Sequence, residues 1–154
     1  MRRSLTVLVM LAAPLLLLTG VPPAAAADSP IGTWVKKGED AKLSMTLIIE
    51  EWSPGKAKLT WRLAGAKTVL TVVSTLDGSY APLLVNGKPS GETMSIKLVD
   101  KRHSVATVKM NGKAFGTSKS TFSEDFKTMT VEQDYYESTG GNPAGKSTEI
   151  WIRK

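Results

Sequence analysis

The sequence predicts an all-β protein: a single antiparallel up-and-down β-barrel of about eight to ten strands, after an N-terminal signal helix. Three observations predict it. Apolar and polar residues alternate with a period of two along nearly the whole chain from Leu43 onward. Turn-forming dipeptides interrupt that alternation at spacings of roughly 8–12 residues, the rhythm of a sandwich or a barrel. Beyond residue 27 no stretch repeats apolar residues at i, i+3, i+4 and i+7, so there is no helix to connect parallel strands and the strands must pair antiparallel.

Residues 1–27 read as a secretory signal. Arg2 and Arg3 give a basic start, Leu5 to Leu18 an apolar run, and Ala24-Ala25-Ala26-Ala27 the small residues of a cleavage site. The apolar core is shorter than the roughly 20 residues a spanning helix needs. The expected mature domain is therefore residues 28–154, exported to the periplasm or the extracellular space, with no membrane span in the mature form.

The strands follow in order. Leu43, Met45, Leu47 and Ile49 alternate with Ser44, Thr46 and Glu50, up to a Ser53-Pro54-Gly55-Lys56 turn. Leu59, Trp61 and Leu63 alternate with Lys58, Thr60 and Arg62. Val69 to Val73 is almost wholly apolar, which suits a strand covered on both faces or one near a barrel mouth. Met94, Ile96 and Leu98 come next, then Ala106, Val108 and Met110, then Met129 and Val131, and finally Ile150 and Ile152 against Glu149, Trp151 and Arg153. Asp77-Gly78, Asn86-Gly87 and Asn111-Gly112 are hairpin dipeptides that tolerate positive φ. Glu124-Asp125-Phe126-Lys127 and Gly140-Gly141-Asn142-Pro143 supply further turns.

Closure into a barrel buries the single apolar face of each strand and removes exposed sheet edges. An outer-membrane barrel would turn apolar residues toward lipid; here the second face carries Lys58, Arg62, Lys97, Lys109 and Glu132, which belong in water.

Composition excludes several kinds of chemistry. With no cysteine among 154 residues there is no disulfide, thiolate nucleophile or thiolate metal site, and a single histidine leaves no histidine pair. The net charge of +6 is spread as scattered lysines without a block of like charges, which argues against nucleic-acid binding. No nucleophile elbow, zinc-binding His-Glu-x-x-His or phosphate-cradling loop occurs, no cofactor motif is present, and no loop repeats oxygen ligands for calcium. His103 falls in a hairpin loop with no evident carboxylate or serine held beside it, so it reads as a surface residue. Adjacent Glu50 and Glu51 point to opposite faces of a strand and form no dyad unless a bulge intervenes. These readings predict no enzyme activity and no metal site.

The remaining candidate is the interior. Met45, Leu47, Leu59, Trp61, Met94, Ile96, Val108, Met110 and Met129 are the expected lining. An eight-stranded barrel is just wide enough to be filled by side chains or to hold one small ligand, and both outcomes stay open.

From Ile31-Gly32-Thr33-Trp34 onward the chain resembles the lipocalin-like domains of small secreted bacterial proteins, relatives within the calycin-type barrels. The resemblance rests on that Gly-x-Trp, on Leu76-Asp77-Gly78-Ser79-Tyr80-Ala81-Pro82 and Asn111-Gly112-Lys113-Ala114-Phe115-Gly116, and on the stretch from Phe122 to Val131 with the closing Ile150-Trp151-Ile152-Arg153-Lys154. It implies a lipocalin-like barrel with Trp34 as a structural plug at one end and Arg153 over its ring. Two features depart from the pattern. Phe126 stands where the final hairpin usually has glycine, and the helix before the last strand has no counterpart.

Two functional expectations follow. In the first, the barrel binds a small hydrophobic or amphipathic ligand in its interior, without catalysis. In the second, a packed barrel binds a protein or an envelope polymer through its lysine-rich outer face and the loop from Glu137 to Lys146.

Overall fold

Alternation at period two produces ten strands in the computed structural model, which describes residues 28–38, 44–138 and 144–154. The signal segment, Glu39-Asp40, Leu43 and Gly140-Gly141-Asn142-Pro143 lie outside the described residues. The strands are β1 (Gly32–Lys36), β2 (Met45–Ser53), β3 (Lys56–Leu63), β4 (Val69–Ser74) and β5 (Asp77–Val85). They continue with β6 (Lys88–Asp100), β7 (His103–Met110), β8 (Lys113–Phe122), β9 (Thr128–Tyr135) and β10 (Gly145–Arg153). Each pairs antiparallel with its neighbours in the chain, and β1 pairs with β10 to close the barrel. No helix occurs among the described residues.

Hairpin chemistry accounts for most of the connections. Asn86-Gly87 and Asn111-Gly112 each form a two-residue turn with both residues at positive φ, 50° and 78° in the first and 51° and 81° in the second. That is the backbone twist a type I′ hairpin needs. Pro54-Gly55 turns β2 into β3, with Gly55 at φ 85°. Asp77-Gly78 differs from expectation. The β4–β5 turn falls two residues earlier, at Thr75-Leu76, and Asp77 already opens β5, where the register slips between Asp77 and Tyr80. The glycine there serves a bulge, at φ 94°, rather than a hairpin.

Two strands also sort their faces differently from the sequence reading. On β10, Trp151 is buried and Ile150 is exposed, so Glu149, Trp151 and Arg153 take the inner face. On β4, Val72 is buried but Val73 is half exposed, so the strand is covered on one side only.

One end of the barrel is filled by aromatic rings. Trp34, Phe122 and Phe126 are almost fully buried. Phe122 lies 5.6 Å from Trp34 and 5.8 Å from both Trp52 and Phe126, centroid to centroid, in tilted or edge-on pairs that favour the rings beyond area burial alone. The Trp34 indole donates to the Pro30 carbonyl at 2.9 Å. Opposite Trp34 in the register, Arg153 donates from its guanidinium to the carbonyls of Ser29, Phe126 and Ile31. Gly32 makes room for that guanidinium: a Cβ there would sit 2.9 Å from Arg153 Nε. Phe126 holds φ 50°, strained for a residue with a Cβ, and its ring is buried in the stack where glycine would leave a hole.

Candidate functional site: the barrel interior

Above the aromatic stack the inner faces do not meet. They enclose a cavity of about 240 Å³ running from Trp52 and Phe122 toward Met45 and Tyr135. It exceeds the roughly 150 Å³ apolar cavity that accepts a benzene ring and falls just short of the ~300–1,000 Å³ range of drug-sized pockets. The barrel is therefore not packed solid along its length.

Of the nine residues expected to line the interior, Met45, Leu47, Leu59, Trp61, Met94, Ile96, Val108 and Met129 all border this cavity. Met110 does not. It is the last residue of β7, beside the Asn111-Gly112 turn, past the end of the space. The lining also holds residues the sequence reading did not select. Ser104, Ser118, Ser120, Gln133, Tyr135 and Glu149 give the wall formed by β7 to β10 a polar stripe, opposite the methionine, leucine and tryptophan side chains of β2, β3 and β6.

Glu149 is the one charged side chain among the described residues lining the cavity. It is mostly buried and accepts from Lys36 Nζ at 2.9 Å and from the Trp151 indole at 3.1 Å. The partners meet for simple geometric reasons. Lys36 follows Trp34 by two on β1 and so shares its inward face, it faces Trp151 across the β1–β10 ladder, and Glu149 precedes Trp151 by two on the same face. Tyr135 lies on the same wall. Burial first, and then the Glu149 carboxylate, push its phenol above the ordinary value, with Lys36 opposing. It is thus a neutral hydroxyl, able to donate. Gly116 is small because Tyr135 lies over it: a Cβ there would come within 2.7 Å of the ring.

Outside the cavity, one expectation needs correction. His103 does have a carboxylate beside it, since Asp100 lies 2.7 Å from its Nδ1. The same carboxylate accepts from the backbone N–H groups of Arg102 and His103, so the arrangement closes the β6–β7 turn. Its carboxyl is held below the ordinary range chiefly by the Arg102 amide and then by His103. The bulge that would allow Glu50 and Glu51 onto one face is also present, between Ile49 and Glu51. Each carboxylate nevertheless has its own lysine, Lys58 for Glu50 and Lys56 for Glu51, and both lysines lie outside. Among the described residues, no three side chains of metal-binding type come together.

No protein-family model and no curated protein matches the sequence. Solved structures do. The chain is similar to the wild-type fluorescent protein UnaG, with a TM-score of 0.57 and 15% identity over 80% of this chain and 96% of UnaG. An Asn-to-Ala mutant of UnaG gives a TM-score of 0.58 and 16% identity over 80% of this chain and 95% of the other. The likeness extends over nearly the whole of UnaG and is one of architecture: the two share a closed antiparallel β-barrel fold.

Proposed function

We propose that this chain is an exported barrel, working in the periplasm or outside the cell, that binds a small hydrophobic or amphipathic molecule in its interior without catalysing a reaction on it. The observation that carries the reading is the cavity of about 240 Å³. A folded domain ordinarily fills its core to the density of an organic crystal, and here packing stops short along one continuous space. Its two unlike walls fit a molecule with an apolar body and a polar head. The described residues offer no nucleophile with an adjacent base in that space, which favours binding over turnover.

Native mass spectrometry of the protein purified from an export-competent host tests the reading. A discrete extra mass that organic extraction removes, on a chain beginning at Asp28, is the expected result. An apo mass together with no uptake of any small apolar compound would overturn interior binding. A retained leader would overturn export alone.

A further inference from the structure

The cavity's electrical character narrows the class of molecule it can take. Its only lining charge among the described residues, Glu149, is already compensated inside the barrel by Lys36 at 2.9 Å, with the Trp151 indole on the second carboxylate oxygen. A bound carboxylate would face the Glu149 carboxylate, and a bound ammonium would compete with Lys36 for it. Either ion must break the existing pair or remain uncompensated, and a desolvated charge without a partner is costly. An uncharged head leaves the pair intact and still finds hydrogen-bonding groups. The side chains of Tyr135, Gln133, Ser118 and Ser120 all border the space.

We infer that the ligand is an uncharged amphiphile, an alcohol or amide on a short hydrocarbon body, with its head against Tyr135, Gln133 and the Lys36–Glu149 pair and its body along the methionine and tryptophan wall. This rests on the interior-binding reading above and adds the charge class. The volume restricts the body to a single ring or a short chain, since the space is only modestly larger than one that accepts benzene.

The test titrates the purified protein at neutral pH with 1-octanol, octanoate and octylammonium, read by calorimetry and by tryptophan fluorescence. The three probes share one body and differ in head charge. Octanol is expected to bind at least tenfold more tightly than either ion. Lys36→Met leaves Glu149 uncompensated and should raise octylammonium binding at least tenfold relative to octanol. Glu149→Gln removes the lining carboxylate and should raise octanoate binding at least tenfold relative to octanol. The double variant, with neither charge, should return to preferring octanol, a recovery that general damage to the fold would not produce.

Octanoate binding the unaltered protein as tightly as octanol would overturn the inference while leaving interior binding standing. Single variants that fold and keep the original ranking would also overturn it. Failure of all three probes to bind would overturn interior binding itself, and this inference with it. Should the single variants not fold, the ranking on the unaltered protein decides.

Discussion

The two ends of this barrel are built on different physical principles. At the plugged end, rings fill the space, a partly buried arginine ties down three carbonyls, and every described connection except Pro54-Gly55 is held by an aspartate. Asp77, Asp100 and Asp125 each accept from backbone N–H groups in the β4–β5, β6–β7 and β8–β9 turns. Toward the other end the turns at Asn86-Gly87 and Asn111-Gly112 rely on positive φ, and the inner faces diverge into the cavity. Aromatic packing is concentrated where the barrel is filled. The half left underpacked is the half available to a ligand, as expected of sites drawn from less densely held regions.

Trp34→Ala makes the largest break. It removes a fully buried ring and one of the three rings packed against Phe122, and should cost about 3–5 kcal/mol, read as a fall in the urea midpoint. The affinity of the remaining folded protein for octanol should be unchanged, because Trp34 does not border the cavity. A Trp34 variant with normal stability and lost binding would reverse the roles of the two ends. Gly32→Ala attacks the same end more gently. The new Cβ meets Arg153 Nε at 2.9 Å on a backbone at φ 144°, which should cost on the order of 1–3 kcal/mol. Loss of the guanidinium contacts to Ser29 and Ile31 should accompany it.

Trp61→Ala is the counterpart at the cavity. Trp61 already borders empty space and is only partly buried, so its removal should cost roughly 1–2 kcal/mol, below the value for a packed ring. Octanol binding should weaken about tenfold, equivalent to about 1.4 kcal/mol. Equal stability losses for Trp34→Ala and Trp61→Ala, with binding unchanged in both, would erase the distinction between plug and site.

Much of this architecture was legible in the sequence, for identifiable reasons. Period-two alternation specifies a two-faced strand, and on β2, β3, β6 and the first half of β9 one face is the more apolar, so the inward apolar residues could be read directly. On β10 both faces carry large apolar groups, Ile150 and Ile152 against Trp151, and alternation cannot choose between them. The same ambiguity concealed Glu149. A charge on a strand is ordinarily turned to water, and only the pairing of Lys36 beside Trp151 makes an inward carboxylate tolerable. Asp77-Gly78 suits a hairpin and a bulge equally; burial of Leu76 at φ 60° sets the turn earlier, at Thr75-Leu76. Neither bulge nor turn position is encoded in periodicity, since both depend on the partner strand.

Acid should separate the two ends with the smallest perturbation of all. The Asp77 carboxyl, bonded first by the Thr75 hydroxyl and then by the Ser79 backbone amide, is held at about 2 against an ordinary value of 3.8. Asp125 is lowered by the Ser123 hydroxyl and the Lys127 amide, and Asp100 by the Arg102 amide and His103. A folded-state value below the unfolded one means that the contribution is fully present above about pH 4 and is lost as pH falls toward 2. The asparagine turns carry no titrating group and should not respond. Hydrogen exchange between pH 5 and 2 should therefore show the amides of Ser79, Arg102 and Lys127 losing protection before those flanking Asn86-Gly87 and Asn111-Gly112. Asp77→Asn should lower stability near neutral pH slightly and flatten part of the acid slope, because its amide cannot gain a proton in this range. Protection lost evenly at both ends, or an unchanged acid slope in Asp77→Asn, would mean that the aspartates merely decorate turns that the backbone already holds.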